Sequence, residues 1–419
     1  MKQKLFSKDF TLVVIGQIIS LFGNAAIRFA LPLYLLNQTG SPALYGAVTA
    51  CAFLPAVMLS PVGGVAADRV NKRNIMTALD FFTAFVILFF YLCRGGQNLI
   101  PLLTVTLMLL YGIAGAYQPA VSASVPALVS PEKLIAANSV INMISSLASL
   151  LGPVLGGLLY SAYGLDAVLL MCAGCFLASA VMEIFIRIPF TEQAGSGSIW
   201  ETVRSDFAKS FRFIRKERPV IGKALLAVCG INLFLSAMLN VGMPYLITEV
   251  LAFEASRANR LYGFAEGAMA AGGLTGGLCA GLFARRLSPS KAGRLIIVCS
   301  ACLFPMGVSL LFVSSGIFNY FVLTVCCFLI MICSTVFTVQ IMSFVQAETP
   351  PVLLGKVIAL ILSVSMCAQP LGSALYGVLF EACAGCESAV VFFAGIVSLA
   401  IALRAGKILR EGLSCGNGH

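Results

Sequence analysis

Apolar runs of about 20 residues or more, each long enough to cross roughly 30 Å of hydrocarbon, recur along almost the whole of this 419-residue chain. Twelve lie near 10–36, 42–67, 75–93, 99–128, 135–162, 165–187, 220–247, 260–284, 293–314, 317–346, 356–380 and 388–409. Composition points the same way: 59% of residues are hydrophobic and 11% charged, against roughly 25% charged in a soluble domain. The 39 glycines suit membrane helices. The expected fold is an all-α membrane protein with twelve transmembrane helices.

The opening MKQKLFSKDF carries three lysines and imitates the start of a signal peptide. The apolar segment behind it is too long, and no small-residue cleavage site follows promptly, so it is expected to stay attached as the first span. Most of the fifteen cysteines are scattered singly in apolar runs, where Cys behaves as a small hydrophobe. Two CAGC tetrads, Cys172–Cys175 and Cys383–Cys386, have no nearby His, the sole histidine being His419. Small residues at helix ends explain them better than a metal or redox site, so no metal and no cofactor is expected.

The net charge of +10 resolves once Lys and Arg are set against the spans. Arg94, Arg257 and Arg260 fall in one set of loops and Arg28 inside a span; the remaining 23 of 27 lie in the other set or at the termini. That bias places both termini on the cytoplasmic side of the cell membrane. The basic excess then faces anionic lipid headgroups, and no nucleic-acid partner is needed.

The longest cytoplasmic connection begins with the flexible "TEQAGSGS". It continues as "IWETVRSDFAKSFRFIRKERP", with Trp200, Val203, Phe207, Phe211 and Ile214 at helical spacing opposite Arg204, Lys209, Arg212, Arg215 and Lys216. This pattern predicts an amphipathic helix on the inner membrane surface. The expected organisation is a six-helix bundle over 1–187, a linker over 188–219 and a second six-helix bundle over 220–419.

The two halves echo one another. Residues 129–160 align without gaps on 349–380, matching Pro131 with Pro351, Gly152 with Gly372 and Gly157 with Gly377. "LPLYLL" at Pro32 returns as "MPYLI" at Pro244, and "GVAADR" from Gly64 as "GLFARR" from Gly281. A duplicated six-helix unit with pseudo-symmetric bundles is the economical reading.

Between the second and third spans, Gly64-Val-Ala-Ala-Asp68-Arg69-Val-Asn71-Lys72-Arg73 resembles the G-x-x-x-D-R-x-G-R-R signature of the major facilitator superfamily. Asn71 stands for one glycine and is a residue that tolerates left-handed backbone. The resemblance implies a cytoplasmic gate in which Asp68 caps the positive end of a neighbouring helix while Arg69, Lys72 and Arg73 hold the loop at the headgroups. In the fifth span, Ala148-Ser-Leu-Leu-Gly152-Pro153-Val-Leu-Gly156-Gly157 resembles the G-x-x-x-G-P-x-x-G-G pattern of that family's drug:proton antiporters, with Ala148 in place of the first Gly. Glycines there permit close helix approach and Pro bends the span. As a whole the chain is similar to the family's macrolide-efflux and enterobactin-exporter branch. It departs from the antiporters that carry an Arg in the fourth span, since "LMLLYGIAGAYQPA" has none.

Ionisable residues within spans are costly and are functional candidates by default. Arg28 and Glu266 both lie roughly 10 Å below the outer surface at 1.5 Å per residue. Glu266 is a candidate proton carrier with Arg28 as its gate partner; a static pair, or two unrelated snorkelling chains, is the alternative. Asp80 and Glu183 lie near the cytoplasmic ends of their spans, where snorkelling or pairing with Arg69, Lys72 or Arg187 is expected. Gln17, Asn24, Tyr111, Tyr117, Gln118, Asn232, Asn240 and Gln340 are candidates for a substrate cavity, with helix-to-helix hydrogen bonding as the other explanation.

The resemblance implies a secondary transporter that exports an amphipathic or drug-like, macrolide-type molecule by alternating access against inward proton flow, and acts as a monomer. A siderophore or lysophospholipid substrate, metabolite uptake, or a transport-inactive receptor remain the other readings. No ATP-binding G-x-x-x-x-G-K-S/T loop, HExxH or GxSxG is present, so an enzyme is not expected. The expected partners are a small-molecule substrate, protons and membrane lipids.

Overall fold

The computed structural model describes residues 6–96, 98–188, 210–282 and 292–416, and every regular element among them is helical. Short polar punctuation decides where helices begin and end. α1 (Lys8–Thr39) opens on Ser7, whose Oγ accepts the Phe10 N–H at 3.2 Å. It closes at Gly40, at φ 61°, a left-handed conformation that a residue without Cβ adopts at little cost. Ser41 then caps α2 (Pro42–Arg69) by accepting the Leu44 N–H at 3.1 Å. Pro42 takes the first helical position, where its missing N–H has no partner to lose.

α3 (Lys72–Cys93) begins at Asn71, whose side chain accepts the Arg73 N–H at 3.1 Å. Asn71 sits at φ −58°, ψ 118°, so it works as a helix cap and the left-handed role expected of it is not used. α4 (Leu99–Leu128) follows. α5 (Leu134–Ile184) is a 51-residue run broken at Gly164 (φ 75°, ψ −175°), which turns it into two arms at the expected boundary between the fifth and sixth spans.

α6 (Pro219–Ile231) continues through a π turn at Asn232–Ser236 into α7 (Ala237–Tyr245) and a second π turn at Leu246–Val250. α8 (Ala255–Leu282) comes next. α9 (Ala292–Ala301) and α10 (Leu303–Phe312) are separated at Cys302, because Pro305 has no N–H to give the carbonyl of Ala301. α11 (Gly316–Glu348), α12 (Pro351–Ala382) and α13 (Glu387–Gly416) complete the chain, with Gly385 at φ 86° in the turn before α13.

Ten helical runs among the described residues are long and apolar enough to cross a membrane, and one of them, Ala136–Ile184, is the run that turns at Gly164. The chain is a multi-pass membrane protein. Exposed Phe82, Phe85 and Phe89 on α3 stack on one another, a surface that suits lipid rather than water.

The chain divides into two compact units. Unit 1 comprises Met1–Thr39, Cys51–Ile199 and Ala255–Gly267; unit 2 comprises Gly40–Ala50, Trp200–Glu254 and Ala268–His419. α2 and α8 therefore each give one stretch to either unit. In unit 1, α1 lies along α5, and α3 packs on α5 and α4. In unit 2, α13 packs on α6, α9 and α10, and α12 packs on α6 and α7.

Glycines matched by the sequence repeat perform matched packing. A Cβ on Gly152 would collide with Ala25 of α1, and one on Gly372 would collide with the Leu233 carbonyl and Ala237. Gly157 would meet the Asn259 carbonyl at 3.1 Å and the Gly263 Cα at 3.2 Å, while Gly377 would meet the Pro42 carbonyl at 2.6 Å and the Gly46 Cα at 3.2 Å. Close backbone approach at both members of each pair requires the absent side chain.

Residues 189–209, which include most of the expected amphipathic helix, lie outside the described residues. At its described end Phe213 and Ile214 are buried, while Arg212, Arg215 and Lys216 are exposed as expected. Phe211 is exposed too, so the buried edge passes through Phe213 rather than Phe211.

Candidate functional site

Polar residues on α1 fall at positions 17, 20 and 24, a spacing that puts them on one face of a helix. That face meets three other elements of unit 1 and collects a buried polar cluster. Gln17 Nε2 donates to the Tyr117 hydroxyl of α4 at 2.6 Å, and that hydroxyl donates to Glu183 Oε1 of the second α5 arm at 2.8 Å. Ser20 Oγ donates to Asp80 Oδ1 of α3 at 3.3 Å. Ser179, one helical turn before Glu183, lies with its hydroxyl against the Asp80 carboxyl and donates to the Gly16 carbonyl of α1 at 3.2 Å.

Asp80 is 2% exposed and Glu183 0%. Neither snorkels to the surface, which overturns that part of the sequence expectation for both; the Arg69 side chain lies outside the described residues. Among the described residues they are the two buried acids, and they are close enough for their charges to interact. Two full charges here, with no ion pair to a base among the described residues, would cost several kcal/mol each. One oxygen of each carboxyl, Asp80 Oδ2 and Glu183 Oε2, has no hydrogen-bond partner, and neither has Gln17 Oε1.

A small cavity reaches this cluster. It is bounded by Ser20, Asn24, Asp80, Thr83, Tyr117 and Gln118, with about 30 Å³ open to the centres of water molecules. Each water needs roughly 10–15 Å³ by that measure, so water has room beside Asp80. Gln17, Asn24, Tyr117 and Gln118, four of the expected cavity residues, thus gather at one place with the two acids.

The other candidates lie elsewhere. The Arg28 guanidinium sits over the Tyr111 ring, 3.6 Å from its centroid, and Glu266 Oε1 accepts from the Tyr262 hydroxyl at 2.8 Å. Arg28 and Glu266 are therefore not brought into an ion pair. In unit 2, Asn232 Nδ2 donates to the Ser365 carbonyl at 3.0 Å and Asn240 Nδ2 to Ser373 Oγ at 3.4 Å. Gln340 is buried with neither amide atom partnered.

In the fifth-span motif a Cβ on Gly156 would lie 3.3 Å from the Ala26 backbone, beside the contacts of Gly152 and Gly157 already described. The main-chain carbonyl of Pro153 would lie 2.9 Å from a Cβ on Gly263. In the loop motif, the side chains at Gly64, Asp68 and Arg69 lie outside the described residues. Arg73 donates to Asn74 Oδ1 at 2.9 and 3.1 Å.

Asp80, Glu183, Ser20 and Ser179 are site residues that the sequence pattern does not single out. The polar face on α1 and the four-residue spacing of Ser179 and Glu183 were the available signals, but which helices meet is a tertiary fact.

The chain matches the family model of the Major Facilitator Superfamily over residues 13–373. It is 26% identical to macrolide efflux protein A of Streptococcus pyogenes over 368 residues, 85% of each chain. It is 32% identical to a lysophospholipid transporter of Serratia proteamaculans over 198 residues, 46% of each chain. Its fold is similar to that of a bacterial homologue of the human lysosomal transporter Spinster, with a TM-score of 0.73 at 13% identity, covering 97% of this chain and 98% of that one.

Proposed function

Because the chain belongs to the Major Facilitator Superfamily, we propose that it is a secondary active transporter exporting an amphipathic, macrolide-type small molecule by alternating access, driven by inward proton movement. The observation that carries this reading is the similarity to macrolide efflux protein A across 85% of both chains, which spans both halves of the duplication. The shared glycine crossings support it: helices packed backbone to backbone, with little side-chain interlocking, are suited to rock and slide.

In this reading the two arms of α5 count as two spans and α8 as another, making twelve. Both termini face the cytoplasm, the basic loops face lipid headgroups, and a monomer suffices. The motif from Gly64 to Arg73 acts as the cytoplasmic gate, with Asp68 at a neighbouring helix end. Arg28 and Glu266 belong to separate local contacts rather than to one gate. The second substrate class is a lysophospholipid, favoured by the 32% identity over about half of the chain.

The test is accumulation of a labelled macrolide in cells expressing the protein, with and without an uncoupler, alongside Asp68→Asn. Wild-type cells should hold several-fold less macrolide, and both the uncoupler and Asp68→Asn should abolish the difference. Macrolide levels equal to those of control cells, with labelled lysophospholipid moving instead, would replace the substrate class and keep the transporter.

A further inference from the structure

We propose that Asp80 and Glu183 together form one proton-binding site, with a single exchangeable proton held between the two carboxyls and the Tyr117 hydroxyl as the link to α1. The geometry carries this. Both carboxyls are buried, both have an oxygen with no donor, and among the described residues the ion pairs seen, Arg94 with Asp166 and Arg218 with Glu348, involve neither. A buried acceptor without a donor is rare; a carboxylic acid, unlike a carboxylate, brings a donor of its own. Gln17 Oε1, fully buried and unpartnered, is a second acceptor beside the same groups.

The groups that face the pair are named readily. From α1 come Gln17 and Ser20, from α4 Tyr117, and from the α5 arm Ser179. Farther along that arm, Cys172 and Cys175 face Gly23 of α1. Toward its other end Asp9 accepts the Arg187 main-chain N–H at 2.9 Å. On α3 itself the bases Lys72 and Arg73 stand at the helix start, about two turns before Asp80, with Arg73 donating to Asn74. Among the described residues no ion pair with a base reaches either acid, so a proton is the charge that fits. Binding converts one carboxylate to a carboxylic acid; release to water in the cavity beside Asp80 restores it.

This deepens the proton-driven reading and rests on it for its role in transport, but the site is testable apart from that. Infrared difference spectra of the purified full-length protein in phosphatidylcholine vesicles, taken between acidic and alkaline buffer, read carboxylic-acid C=O groups directly. A titrating band should be present in wild type, removed or shifted in Asp80→Asn and in Glu183→Gln, and shifted but retained in Tyr117→Phe, the mildest variant. A band untouched by all three, or lost only in Glu266→Gln, overturns the site. So does a carboxylate spectrum that responds to sodium rather than to pH.

In transport, uphill macrolide export should be lost in Glu183→Gln, while exchange of labelled for unlabelled macrolide, which needs no net proton movement, persists. Wild-type export that ignores the proton gradient would refute the drive and leave the infrared result to decide the site.

Discussion

Gly152 in unit 1 and Gly372 in unit 2 admit a neighbouring helix in the same way, yet the polar groups buried in the two units differ in kind. Unit 1 holds Asp80 and Glu183, tied through Tyr117 and Ser20 to α1. Among the described residues of unit 2 the corresponding inventory is neutral: Ser300, Gln340, Ser365, Ser373 and Ser398 are buried, with the thiols of Cys299 and Cys327. Helix crossing distance is set by the absence of a side chain, so a duplicated scaffold keeps its glycines or loses its packing. Buried polar chemistry is under no such geometric demand. One unit buries two acids, while the buried polar side chains described in the other are neutral.

The sharpest way to break this comparison is to place an acid in the neutral half. Ser300 of α9 is fully buried, and its hydroxyl is spent on the Ile296 carbonyl at 3.0 Å. Ser300→Asp puts an uncompensated carboxyl there, and the expected cost is about 3–5 kcal/mol, by analogy with leaving a buried charge unpaired. It should appear as a large drop in folded yield and in the temperature at which the detergent-purified protein loses its monodisperse peak. Asp80→Ser should leave that temperature nearly unchanged or raised, since replacing a buried charge by a neutral group is often neutral or better. Equal tolerance at both positions would mean that unit 1 is not specially built for acids.

The shared packing makes a smaller prediction. Gly152→Val and Gly372→Val should each cost about 1–3 kcal/mol through overpacking, whereas Gly174→Val and Gly277→Val, where nothing lies within 4 Å of an added Cβ, should stay within about 0.5 kcal/mol of wild type. Thermal inactivation of the four purified variants checks this. A large cost in one half and none in the other would show that the matched glycines no longer do matched work.

Much of this architecture is legible in the amino-acid sequence. Gly164 falls between two apolar runs, and the fifth and sixth spans divide there because only glycine takes φ 75° cheaply. The paired glycines announced themselves through the ungapped repeat. Asp80 and Glu183 were not legible as a site, because position along a span gives depth in the membrane and not the direction a side chain faces. Two acids about a turn or two from the cytoplasmic ends looked free to reach water. That α1 and α4 close over them depends on contacts between residues a hundred positions apart, such as Gln17 with Tyr117. Arg28 and Glu266 failed to meet for the same reason: equal depth is not shared direction, and each found an aromatic partner nearby, Tyr111 and Tyr262.

Two tyrosines, one per unit, supply the finest test. Tyr117 bridges Gln17 and Glu183, so Tyr117→Phe leaves a buried amide N–H and a carboxyl oxygen without partners, at a cost of about 1–3 kcal/mol. Tyr376 of α12 is as deeply buried, with its ring tilted against Phe380 at 6.4 Å, but its hydroxyl has no hydrogen-bond partner. Tyr376→Phe keeps the ring packing and removes only the orphaned group, so stability should stay the same or rise by up to about 1 kcal/mol. The two variants remove the same atom, and only Tyr117→Phe should lower thermal stability. If both lower it alike, Tyr376 has a partner that holds it in the membrane, and the neutral half is polar in a way that its protein contacts do not reveal. If they diverge, the hydroxyl at 117 is held by its network, and the difference between the units lies in which buried groups have something to bind.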